Sequence, residues 1–339
     1  MELSQRKDRI LASVVSGYIS TGEPVGSKAI AAKIGVSSAT VRNEMAGLTE
    51  LGLLEQPHTS SGRVPSQRGY REFVDRLMRA IELSETERGA IDGALGLESF
   101  DPGRILSLAA RLLSSISGCA SAVTTPGGEG AVVRAVQLVQ TGRRTAMLLM
   151  MSSAGTVKSR MFRCDYDLTG DILRLFFRVF NEKVTGKTVR EISPGFVQGL
   201  GASLGELYSM VGAPLRALIQ AAQDTARTET ILSGQMNLLR YPELEPEGAR
   251  GVLDLMERRE AMAPLLSQKP GRVTAIIGRE CGWPQLEQTA VLVARYSVNA
   301  QDAGAMALVG PVRMDYQRLM ALLKYTSSRV SSQLAGLED

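Results

Sequence analysis

Histidine is almost missing: His58 is the only one in 339 residues. A Ser-His-Asp or Cys-His catalytic arrangement would have to use it, and a histidine-rich metal site is excluded. Cysteine is nearly as scarce. Cys119, Cys164 and Cys281 lie far apart, are odd in number and form no CxxC pair. Neither a disulfide framework nor a zinc ribbon is offered, so reduced thiols packed in cores are expected. No apolar run approaches the roughly 20 residues that span a bilayer. The N-terminal MELSQRKDRILASVVSGYIS is charged, then amphipathic, with no cleavage site, so a cytoplasmic protein without a membrane segment is expected. One-sided charge is lacking too. The balance of 39 Lys+Arg against 35 Asp+Glu leaves +4, and any polyanion-binding surface must come from local arrangement. No catalytic residues, metal site or cofactor are assigned.

What remains is ordinary material for folded domains. Apolar residues are 44% and charged residues 22% of the chain, which excludes wholesale disorder, and the length suggests two or three domains. Ile10, Leu11, Val14, Val15, Tyr18 and Ile19 fall on one face of a helix that Gly22 and Pro24 stop. Ser27 is expected to cap a short helix, Lys28 to Ile34, closed by Gly35. Ser37 caps the next one. There Val41, Met45 and Leu48 form the inward stripe and turn Ala39, Arg42, Asn43 and Ala46 outward. Leu53-Leu54, the polar turn His58-Thr59-Ser60-Ser61-Gly62 and Arg63-Val64-Pro65 read as a small hairpin.

Helix, tight turn and second helix with small polar outward residues make a helix-turn-helix pattern. Ser38 and Thr40 are short enough to let a phosphate approach. Arg42 suits a bidentate pair with guanine and Asn43 one with adenine. Thr59, Ser60, Ser61 and Gly62 suit a wing along the sugar-phosphate backbone or in the minor groove, with His58 and Arg63 as polar or charged contacts. The same residues also suit a plain helical hairpin, with Arg42 paired to Glu44 and His58 an ordinary turn residue.

Further on, Tyr70, Phe73, Val74, Leu77, Met78 and Ile81 make another helical stripe. ELSETERGAIDGALGLESFDPG reads as an interdomain connection, and Asp101-Pro102 starts a helix with proline at N1. SAVTTP, AVVRAVQLVQ, TAMLLMMSS and VKSRMFRC suggest a four-stranded meander. Helical periodicity follows from Gly170 to about Glu229. RVTAIIG, AVLVARYSV and AMALVG are strand-like again, and a last helix runs from about Met314 to Leu334. Strands, helices and strands in that order suggest an insertion into an α+β domain.

ISTGEPVGSKAIA, SSATVRNEMAGLTELGLLEQPHTSSGRVPSQRGYREFVD and ALVGPVRMDYQRLMALLKYTSSRVSSQL resemble the HrcA family of bacterial heat-inducible transcription repressors. The resemblance implies an α+β, multidomain fold. Its parts are a winged helix-turn-helix over 1–82, a linker over 83–101, and a GAF-like α+β domain in two pieces, 102–167 and 230–339. A mostly helical dimerisation domain is inserted over 168–229. It further implies a homodimer that represses chaperone operons by binding double-stranded DNA at an inverted repeat, the CIRCE element. Heat weakens the repressor and the GroE chaperonin helps restore it. Carried onto this chain, the recognition helix is Ser37 to about Leu51 and the wing about Leu53 to Pro65. The DNA-binding set is Ser37, Ser38, Thr40, Arg42, Asn43, His58, Thr59, Ser61 and Arg63.

Three other readings compete. NEKVTGKT, Asn181 to Thr188, ends like a phosphate-binding loop, but Asn181 stands where that loop needs glycine and an amphipathic helix precedes it instead of a strand. A metabolite-sensing regulator would use the GAF-like domain as its ligand sensor. A protein-interaction scaffold would show no salt-dependent DNA affinity.

Overall fold

The computed structural model describes residues 4–57, 62–96, 101–128, 130–153, 155–203, 208–244, 246–267, 273–298 and 301–336. The chain opens with α1 (Gln5–Thr21), α2 (Ser27–Ile34) and α3 (Ser38–Glu50), followed by the paired strands β1 (Leu54–Glu55) and β2 (Val64–Pro65). Ile10, Leu11, Val14 and Val15 of α1 are buried with Ile30 of α2 and the stripe Val41, Met45 and Leu48 of α3. This is the core the sequence periodicity foretold. One local expectation changes. Ser27 is not the cap of α2 but its first residue, after Gly26, and its hydroxyl instead meets that of Ser38 at 3.0 Å. The hydroxyl thus ties α2 to α3.

Next come α4 (Gln67–Glu72), a π-helical turn Phe73–Leu77, α5 (Glu85–Leu95), α6 (Pro102–Ser117) and β3 (Ala120–Thr124). Then follow β4 (Val133–Gln140), β5 (Thr145–Ser152), β6 (Val157–Arg163), α7 (Gly170–Val184), α8 (Pro194–Ser203) and α9 (Tyr208–Ala226). The chain returns through β7 (Thr230–Ser233), α10 (Pro246–Glu257), α11 (Arg259–Leu266), β8 (Thr274–Ile277), β9 (Thr289–Val298) and β10 (Gln301–Pro311), and closes on α12 (Tyr316–Ala335).

The larger sheet is antiparallel in the order β7-β3-β10-β9-β8. Its strands alternate between two buried faces, as the two-residue period requires. Leu292, Ala294 and Tyr296 of β9 pack with α6 and α12, whereas Val291 and Val293 pack with α10 and α11. A five-stranded antiparallel sheet between helical layers is consistent with a GAF-like domain.

Two boundaries differ from expectation. The strands of the expected meander do not stay together. β3 sits between β10 and β7, while β4, β5 and β6 form a separate three-stranded sheet. Every residue of β3 is buried, so ASAVT needs the centre of a covered sheet. The inserted unit therefore begins near residue 131, not 168. Its own core joins Val136, Ala146, Leu148, Met150 and Phe162 to Phe176, Phe180, Leu215 and Leu218. The stretch 83–101, read as a linker, carries α5. A reciprocal capping box of Ser84 and Glu87 starts that helix. Ile91 and Leu95 join the core of the sheet domain, because the glycines of ERGAIDGALG fall on the other side of the helix from this apolar pair.

Candidate DNA interface

α3 is built to present one face. Ser37 stands at its N-cap and its Oγ accepts from the Thr40 N–H at 3.0 Å, a bond of about 1 kcal/mol to helix stability. The Thr40 hydroxyl closes on the same oxygen at 2.8 Å. No acidic residue lies in the first turn, so the positive end of the helix dipole is left open to a phosphate.

Arg42 and Asn43 are both exposed on the outward face. The pairing of Arg42 with Glu44 does not occur. Glu44 is engaged by Lys7 at 3.0 Å and Arg6 at 3.7 Å from α1, and among the described residues Arg42 has neither an ion pair nor a hydrogen bond. α1 thus engages the carboxylate expected to compete for the guanidinium. Ser38 is only half-exposed because its hydroxyl is spent on Ser27.

The wing rests on the same body. β1 and β2 pair antiparallel, Leu54 with Pro65 and Glu55 with Val64. Val25 exchanges backbone hydrogen bonds with Arg63 at 2.9 and 3.0 Å, a single antiparallel bridge that ties the segment before α2 to the wing root. The Arg63 side chain turns back toward α3, and its Nε donates to Thr49 Oγ1 at 3.2 Å. Of the wing residues named from the sequence, His58, Thr59 and Ser61 lie outside the described residues. The structure accordingly brings Ser37, Ser38, Thr40, Arg42 and Asn43 together at one helix and its N-terminus. Arg63 stands behind them at the wing root.

Two features had escaped sequence reading. One is the set of cross-domain bonds from α4 described below. The other is the outer face of the three-stranded sheet, where Val139, Met147 and Met161 lie in one cross-strand row and Ala135, Met151 and Val157 in another. A signal for it existed. TAMLLMMS is apolar at successive positions, and a strand of that kind asks for cover on both faces.

The competing sites do not assemble. Asn181 lies inside α7 and its amide bonds the Val136 backbone, Nδ2 donating at 2.8 Å and Oδ1 accepting at 3.3 Å. Thr188 belongs to a capping box with Glu191. Both ends of the phosphate-loop lookalike are therefore structural. In the sheet domain a recess of about 470 Å³ is bordered by Thr124, Leu266, Arg295 and Asp302. Its charges are already satisfied, since Arg295 Nε donates to Asp302 at 2.9 Å and a second nitrogen to the Leu266 carbonyl at 2.8 Å. Cys119, Cys164 and Cys281 are free and buried; burial, helped by the Glu280 charge, pushes the Cys281 thiol up to about 12. Among the described residues no cluster could hold a metal ion and no helix is long and apolar enough to cross a membrane.

A capped helix with an open outward face, a supporting two-helix core and a paired-strand wing root define a protein of the winged helix-turn-helix, DNA-binding class. Residues 2–77 match the family model described as the winged helix-turn-helix transcription repressor, HrcA DNA-binding domain, and residues 103–320 match the HrcA protein C-terminal domain. The chain belongs to the HrcA family. Among its relatives, heat-inducible transcription repressors HrcA from Desulforudis audaxviator and Acetivibrio thermocellus are 34% and 32% identical. Each alignment covers 99% of this chain and 99% and 98% of the relative. A crystal structure of a protein described only as hypothetical aligns over 99% of this chain and 100% of that one, with TM-score 0.64 and 24% identity, a likeness of fold.

Proposed function

We propose that the protein acts as a homodimer on an inverted-repeat operator of the CIRCE type, repressing chaperone operons until heat inactivates it. The observation that carries the operator reading is the exposed Arg42–Asn43 pair, without a partner among the described residues, on a helix whose Glu44 is held by Lys7. In this reading Arg42 and Asn43 contact base edges, while Ser37, Ser38 and Thr40 lie at the phosphate end of the helix. His58, Thr59 and Ser61 are wing contacts, and Arg63 braces the wing.

The dimer reading is supported by the outer face of the inserted sheet. Val139, Met151, Val157 and Met161 are 43%, 47%, 54% and 57% exposed, and contiguous apolar surface of this kind marks an interaction site. A second copy is the occupant that matches the operator, since twofold protein symmetry mirrors a palindrome. Heat acts first on the least stable parts, because local stability varies across a structure, and the family resemblance adds the GroE chaperonin as the partner that restores activity.

Fluorescence anisotropy on an inverted-repeat duplex and a scrambled duplex, across a salt series, tests this. The expected result is a large preference for the inverted repeat with affinity falling steeply with salt. Equal weak binding to both duplexes, with and without chaperonin, would refute it.

A further inference from the structure

The wing does not end in a free linker. Ser66 follows β2 directly, and its hydroxyl both accepts from the Gly69 N–H at 3.0 Å and donates to the Gly52 carbonyl at 2.7 Å. The wing root and the first turn of α4 are therefore one rigid piece. From that piece two side chains cross to the sheet domain. Gln67 Nε2 donates to the Glu287 carbonyl at 2.8 Å, and its Oε1 accepts from the Arg279 N–H at 3.1 Å. Arg71 forks onto both carboxylate oxygens of Glu280 and donates to the Ala275 carbonyl of β8 at 2.6 Å. Gly278 lies under this clamp at φ +56°, and a Cβ there would fall 2.3 Å from the Gln67 amide nitrogen. A side chain at position 278 would displace the glutamine.

Tyr70 and Phe73 share one buried core with Tyr316, Leu319 and Leu322, but apolar packing does not close the whole boundary. Tyr70 and Tyr316 meet across it with ring centroids 5.9 Å apart, yet a crevice of about 680 Å³ opens beside them between the wing root and the sheet domain. Arg313 adds a polar contact on the α1 side, donating to the Ile19 carbonyl at 3.4 Å. The Gln67–Arg71 clamp holds the α4 side against β8 and the segment after it.

We propose that Gln67 and Arg71 are positioning residues that fix the angle of the winged helix on the sheet domain, and that in the dimer they make the protein select the spacing between operator half-sites. This rests on the reading of a homodimer on an inverted repeat. Two reading heads held rigidly reach both half-sites only when separation and helical phase match, the half-sites standing about 10 base pairs or a multiple apart. Heads on loosened mounts reach several spacings, each with a lower effective concentration at the second half-site.

The test uses the full-length native protein, Gln67→Glu and Arg71→Ala. Duplexes carry the inverted repeat with its own spacer or with the spacer lengthened by about half a helical turn. Gln67→Glu keeps the shape and replaces the donor to the Glu287 carbonyl by an oxygen. The native protein is expected to lose on the order of 100-fold in affinity on the lengthened spacer, and the variants about tenfold or less. Their salt slope on the original spacer should stay native, because both side chains are engaged on the sheet domain. Thermal unfolding accompanies each measurement, and if Arg71→Ala does not fold, the isosteric Gln67→Glu decides. A folded variant with the native spacing profile would overturn the inference. A native protein that prefers neither inverted repeat nor spacing would overturn the operator reading, and the inference with it.

Discussion

Replacing Arg42 by alanine separates base readout from every other role of α3. The side chain is exposed and Glu44 is held by Lys7 at 3.0 Å, so no internal partner is lost. Its removal should leave folding stability within about 0.5 kcal/mol, the ordinary range for surface substitutions. On DNA the arithmetic differs. A bidentate contact to guanine contributes about 1–3 kcal/mol of discrimination, which at 1.4 kcal/mol per factor of ten is about 5- to 150-fold. The loss should fall on the inverted repeat and spare the scrambled duplex, narrowing the ratio between them by that factor. Anisotropy titrations of both duplexes across salt read the two quantities separately. Equal loss on both, with the slope of log K against log salt shallower by about 0.9, would make Arg42 a phosphate contact and refute its role in readout. An unchanged ratio with unchanged affinity would remove it from the interface altogether.

Other consequences follow from the same geometry. Met151→Glu or Met161→Glu places a charge on the apolar outer sheet face; sedimentation should show the native chain as the proposed dimer and the variants as monomer, with the unfolding temperature little changed because both side chains are about half exposed. Gly69→Ala tests the contact between α4 and the wing root. Alanine would add up to about 1 kcal/mol in an unconstrained helix, but the new Cβ would lie 2.1 Å from the Leu53 carbonyl oxygen. The clash should win by about 1–3 kcal/mol, and a stabilised variant in denaturant titration would contradict this. Glu87 joins α5 to α12. Burial opposes its ionisation, but hydrogen bonds from Ser84 and Arg318 outweigh that and hold its carboxyl below the usual range. A folded-state value below the unfolded one means stability that is present above about pH 4.3 and lost as pH falls through the lowered value. Glu87→Gln should therefore flatten the acid limb of a stability–pH curve, and an unaltered limb would show the pair to be idle.

Local chemistry made the winged helix legible from the chain alone. The inward stripe Val41, Met45, Leu48, the cap at Ser37 and the outward Arg42 and Asn43 depend on helical periodicity and on residues a few positions apart. The strands that return after residue 273 and the last helix were likewise carried by their own alternation and caps. What the sequence could not decide was which buried surfaces meet. ASAVT and AVVRAVQLVQ look like neighbouring strands, and only the tertiary structure sends the first between β10 and β7 and the second to another sheet. The 83–101 stretch looked like a connection because its glycines dilute the periodicity, yet Ile91 and Leu95 find cover on a helix more than 200 residues away, where Arg318 holds Glu87 at 2.7 Å. The clamp of Gln67 and Arg71 on residues 275–287 is of the same kind. Side-chain period and capping are short-range and are written into adjacent residues. Strand partners, domain boundaries and cross-domain hydrogen bonds depend on groups that only the folded chain brings within reach.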